Sequence, residues 1–172
     1  MKFIFNGIMG LTYLTSKNKN ATNKKLKVIE DFEHLTKYQK DLKQQWKYIN
    51  DKWLGLRNHI SPPPIAAMQS TGDCDDFASH MYQVSQDFNP LLLTYFPRKV
   101  WKAHTVIVLH PTKGEYKNYY IVMNWGRINF FTTKQQVIQH LEGYAGSKFL
   151  SYHWADYDYE AGRYRGVKGR NV

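Results

Sequence analysis

Between Asn23 and Leu54 the chain carries neither glycine nor proline, and Val28, Phe32, Leu35, Leu42, Trp46, Ile49, Trp53 and Leu56 recur at steps of three, four or seven. Such spacing lays apolar side chains along one stripe of an α-helix. One helix of that length would exceed the usual size, so the pattern predicts either a break near Thr36–Gln39 or a long helix that also meets a partner. Ser61-Pro62-Pro63-Pro64 follows. Proline lacks an N–H and has a fixed φ, which predicts that the helix stops there and that the connection is stiff.

Beyond Asp73 the texture changes twice. Phe77, Met81, Val84 and Phe88 share one helical face, and Asp75 and Asp76 fall in the first turn, where the helix dipole favours acids, so a helix is expected to begin at Cys74. Short β-branched and aromatic runs come next, over 91–96, 103–109, 119–125, 128–131 and 149–154, and read as antiparallel strands. The loop His110 to Asn118 joins two of them as a hairpin, and Thr132 or Thr133 can cap a short helix carrying Val137, Ile138 and Leu141. Helices first and antiparallel strands afterwards define an α+β chain with an N-terminal helical layer packed on the sheet. The segment from Glu160 onward is rich in glycine and arginine and is expected to be a mobile tail.

At 172 residues the chain suits one domain, read as a helical part over 1–60, a core over 61–155 and a basic tail over 156–172. An apolar fraction of 42% excludes wholesale disorder, and no apolar run approaches the length of a membrane span. Of the +10 net charge, residues 1–60 contribute +7, from twelve basic and five acidic side chains. Those charges are spread with helical periodicity, which favours a solvated helix face over a nucleic-acid site. The lone Cys74 excludes an internal disulfide and a multi-cysteine zinc module, which favours a reducing compartment. Asn6 and Gly7 interrupt the apolar start, so export is not expected and the cytoplasm is the expected location.

Three residues then occupy informative places: Cys74 at a helix start, His104 in one strand and Asn124 in the next. If 103–109 pairs with 119–125, hairpin pairing can bring the faces of His104 and Asn124 together. A thiol at a helix N-terminus meets unpaired N–H groups that favour thiolate. An imidazole beside it supplies a base, and an amide behind the imidazole fixes its tautomer. Each residue also has a plainer role, as a small buried hydrophobe, a core histidine and a turn former.

The local text carries more. Gly72-Asp73-Cys74-Asp75-Asp76-Phe77-Ala78 resembles the nucleophile motif of the transglutaminase-like superfamily, the papain-related group that includes bacterial transglutaminase-like cysteine proteases. Lys102-Ala103-His104-Thr105-Val106 is similar to its histidine strand, and Tyr119-Tyr120-Ile121-Val122-Met123-Asn124-Trp125-Gly126 to its third-residue strand. The resemblance spans residues 70 to 140 and implies a papain/transglutaminase-like fold. It also implies Cys74 as nucleophile, His104 as general base and then acid, and Asn124 as orienting group. Asparagine stands where the family usually has aspartate; an amide orients the ring but adds no negative charge. Gln69 resembles the upstream oxyanion donor of papain-type enzymes at a different spacing, and the Cys74 N–H is the natural first donor. Trp101 and Trp125 are expected to shield the His–Asn hydrogen bond from water.

The implied function is thiol-dependent attack on an amide carbonyl of a peptide or protein, without metal or cofactor. A non-catalytic interaction protein of the same fold, binding protein or nucleic acid through its basic helical layer, is the competing reading. A structural or assembly protein of a virus or mobile element fits only the small size and composition. Zinc held by Cys74 with His80, His104 or His110 lacks paired-ligand spacing. The helical region 23–58 leaves open a monomer or a homodimer.

Overall fold

The computed structural model describes residues 28–49, 60–99 and 102–167. The first helix, α1, spans Phe32–Gln45; the Asp31 carboxylate caps it by accepting the His34 N–H at 2.6 Å, and Leu35 and Leu42 are buried from the predicted stripe. The helix runs unbroken through Thr36–Gln39 and ends instead at Trp46, which is extended. Trp46 is drawn away by a tertiary bond, its indole N–H donating to the Gly72 carbonyl at 3.0 Å. The chain continues as strand β1, Lys47–Tyr48, whose partner is β2, Thr71–Gly72, in a short parallel pair. The remainder of the predicted helical region, 23–27 and 50–58, lies outside the described residues.

The proline run opens a helix as well as stopping one. Helix α2, Pro63–Ala66, carries proline in its first two positions, where the missing N–H has no intrahelical partner to lose. Helix α3, Cys74–Val84, follows, with the Asp73 carboxylate accepting the Asp75 N–H at 3.1 Å. Six strands then form one sheet: β3 Pro90–Pro97, β4 His104–Leu109, β5 Tyr120–Asn124, β6 Arg127–Phe131, β7 Phe149–Asp158 and β8 Arg163–Gly166. Their order is β6-β5-β4-β3-β7-β8, antiparallel throughout. Between β6 and β7 lies α4, Lys134–Tyr144, opened by a capping box of Thr133 and Gln136.

The expected basic tail is corrected over 156–166. Residues 156–158 extend β7 and 163–166 form β8, which pairs with it. Arg165 reaches Asp156 at 3.0 Å, and Tyr164 packs edge-on against Tyr157. The acidic side chains of β7 neutralise the arginines of β8, so composition alone misses the hairpin.

Alternation along the strands gives the sheet two apolar faces. Ile107, Leu109, Ile121 and Met123 join α1 and α3 side chains in one core, whereas Val106, Val108 and Val122 join Val137, Ile138 and Leu141 of α4 in the other. Each such fully buried aliphatic side chain contributes about 1.5–3 kcal/mol. The result is a mixed helix and antiparallel-sheet fold with helices on both faces of the sheet. Among the described residues no helix is long and apolar enough to cross a membrane.

Candidate functional site

Strands β4 and β5 pair Val108 with Val122 and Ile107 with Met123, which sets His104 and Asn124 on the Val108–Val122 face near one end of the hairpin. Their side chains meet: Nε2 of His104 lies 3.2 Å from Oδ1 of Asn124. An amide oxygen only accepts, so Nε2 carries the proton and Nδ1 of the neutral ring keeps its lone pair. Tyr95, paired with His104 across β3, packs edge-on against the imidazole at 5.5 Å and stacks on Phe149 at 4.3 Å. Burial lowers the pKa of His104, and the bond to Asn124 and the charge of Asp73 oppose this in part.

Cys74 is the first residue of α3 and is 3% exposed. Helix α3 packs through Phe77, Ala78 and Met81 on the sheet face of Ile107, Leu109 and Met123, with Cys74 at its N-terminal end. There the backbone N–H of Thr105, the residue after His104, donates to the sulfur. The helix N-terminus was expected to favour thiolate. Here burial, followed by the carboxylates of Asp75 and Asp73, holds the thiol well above its ordinary pKa, and the Thr105 N–H and Lys102 offset only part of this.

The carboxylates form a compact group. Asp73, Asp75 and Asp76 each place an oxygen within 4.8 Å of the others, and the Asp76 carboxylate also accepts the Ser61 N–H at 3.3 Å. Gly72 is a condition of that packing, since a Cβ there would lie 2.5 Å from Cβ of Asp76 and the backbone φ is +147°. Hard oxygen donors at this spacing are the residues whose chemistry suits a divalent cation such as calcium. The sequence places Asp75 and Asp76 in the first helical turn, where the dipole favours acids and where their charges oppose a thiolate at Cys74.

An aromatic layer covers the start of α3. Trp125 stacks on Phe77 at 4.5 Å and 19° and approaches Tyr48 at 5.6 Å. It therefore covers the cysteine helix; Trp101 lies outside the described residues. Trp125 and Gly126 make the two-residue β5–β6 turn with φ of 48° and 80°, a mirror-image turn in which tryptophan is an unusual first residue. Tyr48 was missed by sequence reasoning. Its two-residue strand pairs with Gly72, and its hydroxyl accepts from Lys102 at 3.2 Å. No local periodicity marks so short a strand.

The remaining candidates divide. The backbone carbonyl of Gln69 accepts from Nδ1–H of His80 at 3.2 Å, and Ala66 does so at 3.0 Å, while the Tyr38 hydroxyl donates to Nε2 at 2.8 Å. Both nitrogens of the buried His80 are thereby engaged in holding α3 to α1 and to the loop that carries Gln69. His110 lies beyond the far end of β4, stacked on Tyr120 at 4.1 Å. Six residues of strand, about 20 Å, separate it from His104. The structure thus brings His104 to Asn124 and Cys74 to Thr105, and leaves His80 and His110 in structural roles.

No protein-family model matches the sequence, and no curated protein does. Among solved structures the chain is similar to Legionella pneumophila LapG, at 15% identity over 87% of this chain and 72% of that one, with a TM-score of 0.48. A calcium-bound Legionella pneumophila LapG is similar at 15% identity over 75% and 77%, with a TM-score of 0.44.

Proposed function

We propose that this chain is a transglutaminase-like, cysteine-dependent amide hydrolase or acyl transferase, and first of all a peptidase acting on a peptide or protein. The observation that carries the reading is the His104–Asn124 hydrogen bond at 3.2 Å, formed one residue from the N–H that contacts the Cys74 sulfur. In this reading Nδ1 of His104 takes the thiol proton as sulfur attacks the carbonyl carbon. The Cys74 backbone N–H at the open helix end stabilises the oxyanion, with Gln69 proposed as a second donor. The imidazolium then protonates the departing amine, and water or a second amine releases the thioester. Asn124 holds the ring in the productive tautomer throughout.

The raised thiol pKa shapes the proposed mechanism: in this reading His104 works as a general base on a protonated nucleophile rather than as one half of a preformed ion pair. Trapping with a peptide-like electrophile library, read by intact mass, tests the proposal. A single adduct at Cys74 that is lost in His104→Ala supports it, and equal labelling of both forms overturns it.

A second reading, a catalytically silent interaction protein of the same fold, draws support from the 3% exposure of Cys74 and from the carboxylates that oppose its ionisation. It predicts no adduct at Cys74 at neutral pH with any member of the library.

A further inference from the structure

On the α4 side of the sheet a cavity of about 370 Å³ opens beside the candidate site, and Asn124 forms part of its wall. Its floor is apolar, from Val122 and Leu141, and its polar lining comes from Arg127, Asn129 and His140. Arg127 follows the β5–β6 turn, pairs with Asn124 across it, and holds its guanidinium 5.4 Å from the centre of the Tyr144 ring. The ring face occupies one side of the cation and leaves the N–H edge to other partners. Among the described residues no carboxylate pairs with Arg127, and no acidic side chain lines the cavity.

An arginine beside a cavity of mixed lining, with an apolar floor and no acidic side chain among its lining residues, favours an anion. A guanidinium matches a carboxylate with two parallel hydrogen bonds, and the Asn129 amide and a His140 ring N–H add further donors. Valine and leucine beneath favour a carboxylate borne on a compact aliphatic group. One cation with an apolar floor is a poor match for phosphate, whose higher charge and fuller hydration call for several donors.

We propose that this cavity binds a carboxylate carried on an aliphatic group, and that the group belongs to the polypeptide substrate. The second half rests on the peptidase reading above; the first does not. Because Asn124 is shared between the cavity wall and the His104 hydrogen bond, occupancy reaches the imidazole through one side chain.

Binding is measured by calorimetry on the Cys74→Ala form of the whole chain, which removes any turnover. N-acetyl-leucine is the probe and N-acetyl-leucinamide its uncharged match. The carboxylate should bind at least about tenfold more tightly, a preference that Arg127→Gln abolishes and Arg127→Lys partly restores. The His104 Hε1 resonance should move with N-acetyl-leucine and stay still with the amide. Equal affinity for the two probes, or an unchanged preference in a folded Arg127→Gln, overturns the carboxylate site. A tetrapeptide ending in leucine with a free carboxylate should bind more tightly than N-acetyl-leucine. Equal affinities of those two overturn the assignment to substrate, whether or not the wild-type chain hydrolyses peptides.

Discussion

His104 and Asn124 meet diagonally across neighbouring antiparallel strands, with Nε2 of the imidazole 3.2 Å from the amide oxygen. Asn124→Ala should release the ring and lower any turnover by about 10²-fold or more while retaining the fold. Asn124→Asp should keep the bond, add charge that favours imidazolium and move the pH profile. Denaturant midpoints and Cys74 alkylation rates on the same two variants decide the matter. An Ala variant that is destabilised yet labels at the wild-type rate would make Asn124 a turn residue only.

The elevated thiol pKa has a kinetic signature. Thiolate is scarce near neutrality, so iodoacetamide labelling of native Cys74 should climb steadily from pH 7 to 9, without the neutral plateau of a preformed ion pair. Asp75→Asn removes the larger of the two opposing carboxylate charges and should speed labelling at fixed pH. A plateau near neutral pH, or no acceleration in a folded Asp75→Asn, would contradict this electrostatic account.

His80, His104 and His153 all have pKa values lowered by burial. The unfolded chain therefore binds protons more readily than the folded one. Their contribution is complete above the unfolded value of about 6.5 and is lost as pH falls through the folded values, at up to about 1.4 kcal/mol per pH unit for each ring. Urea midpoints should fall between pH 7 and 5. In His80→Gln the decline should be shallower from a lower starting stability, because the Tyr38 hydroxyl and the Ala66 carbonyl lose their shared partner.

Gly72 permits the carboxylate cluster to pack. Gly72→Ala introduces a Cβ into the space of Asp76 at a backbone angle that L-residues rarely adopt, and should cost about 1–3 kcal/mol. Thermal unfolding of this variant beside Gly114→Ala separates the two effects. Gly114 shares a positive φ of 79° but has open space around it, so its cost should be that of the backbone alone.

Several elements were legible because their signals are local. The acidic first turn and the spacing of Phe77, Met81 and Val84 place α3 by dipole and periodicity alone. A threonine cap at 132 or 133 and the apolar set Val137, Ile138 and Leu141 place α4 in the same way. Period-two alternation groups His104 with Val106 and Val108, and Asn124 with Tyr120 and Val122, because a strand's pleat fixes side-chain direction; the register of Val108 on Val122 then joins the two faces. The end of α1 was not legible. Nothing in its apolar stripe anticipates that Trp46 finds its partner at Gly72, twenty-six residues on. The β7–β8 hairpin was hidden for a related reason: a run of arginines reads as a solvated tail until Asp156 and Asp158 stand opposite it.

The sequence by itself determined which residue types stand at the ends of which elements: a thiol opening a helix, an imidazole and an amide on successive strands. Only the tertiary structure decided the state of that thiol. Ionisation depends on how much water reaches the sulfur and which charges face it. Those quantities come from the packing of α3 under the sheet, the layer of Trp125 and Phe77, and the carboxylates of Asp73 and Asp75. A helix N-terminus pulls a thiol toward its anion by local geometry, and burial among acids pushes it back by an amount that no local pattern records.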